Sequence, residues 1–222
     1  MNPETLTELL DLLWGASLET LYMVALSGFV TLMAGLPTGL ALYLIDGDGP
    51  LPRPRLHRVL STIVNIGRSL PFVVLLIAVI PLTRLIAGTS LGSTAAIVPL
   101  SLGSIPFFAR VVEAALREVD KGRIEAVQAM GGTLRHLVFM VLLPEALPAL
   151  LSGVTLTLVM LVGYSALAGV VGGGGLGDLA IRYGYLRFNT EVMLATVVVL
   201  IVLVQVIQAA GDWAVRRLAH RR

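Results

Sequence analysis

The chain has 222 residues, 56% of them hydrophobic and 14% charged, with a formal net charge of +2. Soluble domains average roughly 45–50% apolar and about 25% charged, so this composition leaves too little polar surface to coat a water-soluble fold. Cysteine is absent, which excludes a disulfide framework and any thiolate metal site.

A membrane helix needs about 20 apolar residues, because each residue rises about 1.5 Å through a hydrocarbon core about 30 Å thick; the length therefore allows about five spans in one helical domain. Residues 1–14 carry Glu4, Glu8 and Asp11 but no Lys or Arg, unlike the start of a cleaved signal peptide, so the first span is expected to be retained. That span is predicted at 17–45, where Gly28, Gly35, Pro37 and Gly39 suggest close packing and a bend. Asp46, Gly47, Asp48, Gly49, Pro50, Pro52 and Pro54 punctuate a loop that no continuous helix could cross. Further spans are predicted at 60–85 and 94–116, joined through Gly88, Thr89, Ser90 and Gly92.

The pattern then changes. Segment 117–143 holds Arg117, Glu118, Asp120, Lys121, Arg123, Glu125, Arg135 and His136, too many charges for a helix in lipid. Apolar runs resume at 147–171 and 192–214, separated by a glycine-rich connection, and Arg216, Arg217, Arg221 and Arg222 follow. The loop near Arg53, Arg55 and Arg58, the segment with Arg117, Lys121, Arg123 and Arg135, and the C-terminal arginines together place eleven cations on one side, against Arg84, Arg182 and Arg187 on the other. By the positive-inside rule this predicts an odd number of spans, with the N-terminus outside and the C-terminus in the cytoplasm.

Within the cytoplasmic segment, Ile124, Val127 and Met130 recur every three residues while Glu125 and Gln128 lie off that stripe, which predicts a short amphipathic helix over 123–130. Gly131 and Gly132 would end it and Thr133 would cap the next helix. Two short helices about a tight glycine bend make a projection suited to docking on another protein; the competing reading is a helix lying in the lipid headgroups.

The string Glu125-Ala126-Val127-Gln128-Ala129-Met130-Gly131, with Leu143-Pro144 twelve positions after Gly131, resembles the Glu-Ala-Ala motif of ABC importer permeases; Val127 replaces the usual third-position Ala but keeps an apolar face. The resemblance runs from the first span to the last and is strongest to the methionine importer permeases. It is carried by Asn65-Ile66-Gly67-Arg68-Ser69-Leu70-Pro71-Phe72, Ala96-Ile97-Val98-Pro99-Leu100, Pro106-Phe107-Phe108-Ala109-Arg110, Leu142 to Pro148 and Leu161-Val162-Gly163-Tyr164-Ser165-Ala166. It implies an all-α, type I importer permease fold of about five transmembrane helices in the bacterial inner membrane. Ile124, Glu125, Ala126, Val127, Met130, Gly131, Leu143 and Pro144 then form the segment that couples to an ATPase. It further implies a second copy of the chain around a central pore, two ATP-binding cassette subunits, and a periplasmic or lipid-anchored substrate-binding protein. No cofactor would bind this chain, ATP and Mg belonging to the partner, and its surroundings would be membrane lipid rather than nucleic acid. The only lysine is Lys121, followed by Gly122 and Arg123, so no phosphate-binding loop ending in Lys and Ser or Thr exists here.

Ser69, Phe72, Tyr164 and Ser165 could line a pathway, or serve only in helix packing. Arg68 could lie inside the membrane or anchor to its surface, and Glu113 could pair with Arg110 or Arg117 along one helix face. Glu19 receives no role. Gly172, Gly173, Gly174 and Gly175 match part of a dinucleotide fingerprint without the strand it requires, and read instead as an outer turn or gate. A membrane enzyme is disfavoured because His57, His136 and His220 are far apart in sequence. The rivals are a permease for another polar amino acid and an ion-coupled secondary transporter, whose internal repeats and deep carboxylates are not evident here.

Overall fold

A computed structural model describes residues 6–219 of the chain. Glu4, His220, Arg221 and Arg222, invoked above for the charge pattern, lie outside the described residues. The described part is helical: α1 (Leu6–Leu44), α2 (Pro54–Ser69), α3 (Phe72–Ala78), α4 (Ile80–Ala87), α5 (Ser93–Arg117), α6 (Lys121–Ala129), α7 (Leu134–His136), α8 (Leu143–Val170), α9 (Gly175–Leu179) and α10 (Thr190–Ala219), with π-helical turns at Leu137–Leu142 and Ala180–Tyr185.

Thr7–Leu44, Ser93–Arg117, Leu134–Val170 and Thr190–Leu218 are each long and apolar enough to cross a membrane. A fifth crossing exists if α2 and α3, bent by 101° across their break, form one broken span. The uninterrupted helix expected over 60–85 is therefore corrected to three pieces. Pro71 offers no N–H and pushes the preceding residue out of the helical region, and Leu70 accordingly sits at φ −78°, ψ 126°. The boundary expected at 147 also moves: α7, the π turn and α8 form one continuous helical run from Leu134, so Leu143-Pro144 lies inside it. Before Pro144 the hydrogen bonding widens, and the Leu143 N–H donates to the Val138 carbonyl five residues back.

Small residues set the helix spacing, as lipid-embedded bundles require. A Cβ on Gly39 would overlap the Ala109 carbonyl, and one on Gly35 would lie 2.8 Å from Phe108, so α1 and α5 can meet only with glycine there. Thr31 and Ser104, both fully buried, hydrogen-bond across the same contact. One apolar cluster joins α5 to α6 and to the start of α8 through Phe108, Val112, Leu116, Ile124, Leu137 and Leu142. A second joins α1, α3, α5 and α8 through Met23, Phe72, Leu76, Leu100 and Leu161. Only 11% of the most apolar 18-residue stretch of α10 is buried, and Leu194, Val198, Ile201, Val202 and Val206 are exposed.

Candidate functional site

The short helix α6 is built from local chemistry. The Asp120 carboxylate accepts a hydrogen bond from the Gly122 N–H at 2.6 Å and so caps its N-terminus. At the other end the Gly131 N–H donates to the Gln128 carbonyl at 3.0 Å and the Gly132 N–H to that of Val127 at 2.9 Å, with Gly131 at φ +73°, a left-handed conformation natural to glycine. Thr133 then caps α7 in a reciprocal pair with His136.

Ile124 is buried, and Val127 packs against the same cluster as Leu116, Val119 and Leu137. Met130, assigned to that stripe from its spacing, is instead 78% exposed. A three-residue step falls about 60° short of a full turn, so after six residues the side chain has drifted about 120° from Ile124. Glu125, Ala126, Gln128 and Gly131 are also exposed, Leu143 is half-buried beside the cluster, and Pro144 is exposed. An Arg123–Glu145 ion pair ties α6 to α8. Sequence reasoning missed Phe139 and Met140, which are exposed and share a cavity wall with Arg135 and His136. Their apolar character matched the adjoining membrane run, so composition alone could not distinguish them.

Next to this unit lies an ionic cluster. Glu113 is 3% exposed and accepts hydrogen bonds from both Arg110 and Arg117, each at 2.6 Å. Arg110 also donates to the Ser61 carbonyl at 3.1 Å and the Asn65 side-chain oxygen at 2.9 Å, while Arg117 reaches Asp46 at 2.8 Å. Sequence spacing offered Glu113 either cation; folding supplies both, and adds α2 and the loop after α1. His57 Nε2 approaches Asp46 at 3.8 Å and Glu113 at 4.0 Å. Ligand-type atoms of Asp46, His57 and Glu113 lie within 4.8 Å of one another, but the two guanidiniums already neutralise both carboxylates. The donor set fits a structural clamp better than a metal centre.

The proposed lining residues are placed unequally. Ser69 is exposed and donates to the Asn65 carbonyl at 2.8 Å. Phe72 is 7% exposed and stacks on half-buried Tyr164, ring centroids 4.1 Å apart and planes within 9°. Ser165 is 2% exposed, and its hydroxyl donates to the Val162 carbonyl. Arg68 is exposed and, among the described residues, its side chain makes no ion pair or hydrogen bond.

The glycine run is not wholly a loop. Gly172 and Gly174 take positive φ, and α9 begins at Gly175. The Gly175 N–H donates to the Glu19 carboxylate at 2.7 Å and the Leu176 N–H to Thr20 Oγ1 at 2.9 Å, while the Gly92 N–H donates to the Gly172 carbonyl at 2.8 Å. Glu19, left without a role in the sequence, thus fastens α9 to α1. No local pattern spans the 156 residues between them. Beyond α9, a hydrogen bond from Arg182 to Asp178 and the carboxylate's charge raise the arginine pKa above its ordinary value.

Residues 35–222 match the family model described as binding-protein-dependent transport system inner membrane component. The probable D-methionine transport system permease protein MetI of Vibrio cholerae is 56% identical over 211 residues, covering 95% of this chain and 94% of that protein. The methionine import system permease protein MetP of Bacillus subtilis is 44% identical, covering 90% of each. A solved inward-facing structure of the MetNI methionine ABC transporter superposes with a TM-score of 0.93 at 50% identity, covering 94% of this chain and 97% of the other. An amino acid ABC transporter solved with histidines gives a TM-score of 0.77 at 20% identity over 95% and 96%, a likeness of fold.

Proposed function

This chain belongs to the family of binding-protein-dependent transport system inner membrane components, and on that premise we propose that it is the permease of an ATP-driven methionine importer in the bacterial inner membrane. The cargo reading rests on the relatives named for methionine transport. The chain is a translocation subunit rather than an enzyme, and ATP with its Mg is hydrolysed by a separate cassette subunit. Two copies would enclose the pathway, with two ATPase subunits on the α6 side and a substrate-binding protein on the α9 side. The N-terminus would then face outward and the C-terminus the cytoplasm, as the distribution of arginines favours.

The observation that carries this reading is the attachment of α6. Ile124 and Val127 sit in the cluster that also contains Leu116 of α5 and Leu142 before α8, while Glu125, Ala126 and Met130 remain exposed for a partner. A displacement of α6 by the ATPase is passed directly to two long helices, because close-packed interiors are stiff. Through Arg110 and Glu113 the displacement also reaches α2. The bend at Leu70-Pro71 lets α2 swing relative to α3 and α4.

ATP-dependent uptake of radiolabelled methionine into proteoliposomes holding the complete complex tests the reading. Uptake should vanish without nucleotide and should be competed by methionine over polar amino acids. Uptake that persists in complexes without the ATPase subunits would overturn it. Because the chain lacks cysteine, single cysteines placed at Gln128 and Leu186 allow an unambiguous sidedness measurement, with only Leu186→Cys expected to react from outside.

A further inference from the structure

The break between α2 and α3 opens a cavity of about 120 Å³ walled by Arg68, Leu70, Phe72, Leu75, Phe107 and Tyr164. It lies near the middle of the bundle: Gly103, also in its wall, is the eleventh of the 25 residues of α5. A Cβ on Gly103 would come within 3.2 Å of both Phe72 and Leu75, and one on Gly67 within 2.7 Å of Pro106, so glycine permits the approach of helices that shapes this wall. Larger spaces elsewhere lie beside α6 or against α7 and the π turn after it, whereas the apolar cavity between α4, α5 and α8 contains no charged group.

The charge on Arg68 is the informative feature. Arg110, Arg117, Arg123 and Arg182 are each held by a carboxylate, but the Arg68 side chain has no ion pair or hydrogen bond among the described residues and is exposed. A lone guanidinium at mid-bilayer is costly against lipid, so such groups face a water-filled path or a protein partner. Beside it stand three aromatic rings, of which Phe72 and Tyr164 are already fixed by stacking. A guanidinium recognises a carboxylate by two parallel N–H bonds, and ring edges favour a thioether or another apolar side chain.

We infer that this cavity is a transient substrate site, in which Arg68 takes the carboxylate of an α-amino acid and Phe72, Phe107 and Tyr164 take its apolar side chain. The inference rests on the importer reading above and locates where that cargo pauses within the permease. An alcohol analogue that lacks the carboxylate would then lose the Arg68 contact while keeping the apolar one.

The test measures equilibrium binding of radiolabelled methionine to the purified permease–ATPase complex without binding protein, beside ATP-dependent uptake by the complete system. Wild-type complex should bind saturably, and methioninol should compete at least tenfold more weakly than methionine. Arg68→Gln should weaken binding at least tenfold, Arg68→Lys less, and Phe107→Ala should weaken it with methioninol and methionine affected alike. Arg58→Gln, on the same helix but away from the cavity, should bind as wild type. Co-elution of each variant with the ATPase subunits establishes assembly, and if Arg68→Gln fails to assemble, Arg68→Lys and Phe107→Ala decide. Wild-type uptake of methionine with no saturable binding, or with binding unchanged in the cavity variants, overturns the site and leaves the importer reading intact. Absence of methionine uptake by the wild-type complex overturns both.

Discussion

The α6 end and the α9 end of the bundle are fastened by opposite means. Near α6, Glu113 is gripped by two arginines, Asp46 joins from the loop after α1, and a continuous apolar cluster runs underneath. Near α9, consecutive backbone N–H groups of Gly175 and Leu176 are held by Glu19 and Thr20, and glycines bring backbone against backbone. A buried carboxylate gripped by two cations resists being opened, since Glu113 left behind would be an uncompensated buried charge. A glycine turn held by a few hydrogen bonds can rearrange at much lower cost. The contrast would suit the proposed permease, in which force enters at the α6 end and the α9 end opens and closes.

Substitutions at three positions would break or sharpen that contrast. The largest effect is expected at Glu113: Glu113→Gln leaves Arg110 without a carboxylate, while half-exposed Arg117 keeps Asp46, and should cost about 3 kcal/mol, the low end for a broken buried pair, read as a marked fall in the thermal unfolding midpoint of the purified complex. An unchanged midpoint would mean the α6 end is not clamped by charge. Thr20→Val comes next. Thr20 is 1% exposed and accepts the Leu176 N–H, so a buried donor is orphaned at about 1–3 kcal/mol. Uptake should suffer while assembly with the ATPase persists; loss of assembly instead would erase the distinction between the ends. The smallest effect on stability is Gly131→Ala. Nothing lies within 4 Å of a Cβ there, so the cost is the left-handed backbone alone, about 1–2 kcal/mol. Methionine transported per ATP should fall, and Gly131→Asn should retain more coupling because asparagine tolerates that conformation.

The helical class and the α6 turn were legible in the sequence because both are written locally. Long apolar runs announce spans, and Asp120, Gly131 and Thr133 are caps whose partners lie within a few residues. The break before Pro71 is equally local: a proline in an apolar run outweighs the run's hydropathy when a continuous helix is at issue. What escaped reading was nonlocal. Glu19 meets α9 only after the chain has crossed the bundle several times, and His57 approaches Glu113 only because α2 lies along α5. The triplet Ile124, Val127 and Met130 shows a different failure, since a step of three approximates the helical period too coarsely to carry a face through a third residue.

The π-helical stretch at Leu137–Leu142 has a consequence for how this scaffold can be altered. A wide turn stores an extra residue in an otherwise regular rod. Excising one residue there would let the rod tighten to ordinary winding without interrupting it and would leave the bearing of the α6 side nearly unchanged, whereas the same excision from regular winding would turn that side by about 100° about the axis of α8. The wide turn thus acts as slack in the rod: it absorbs a one-residue change of length while keeping the compass bearing of Glu125, separately from how firmly α6 is attached.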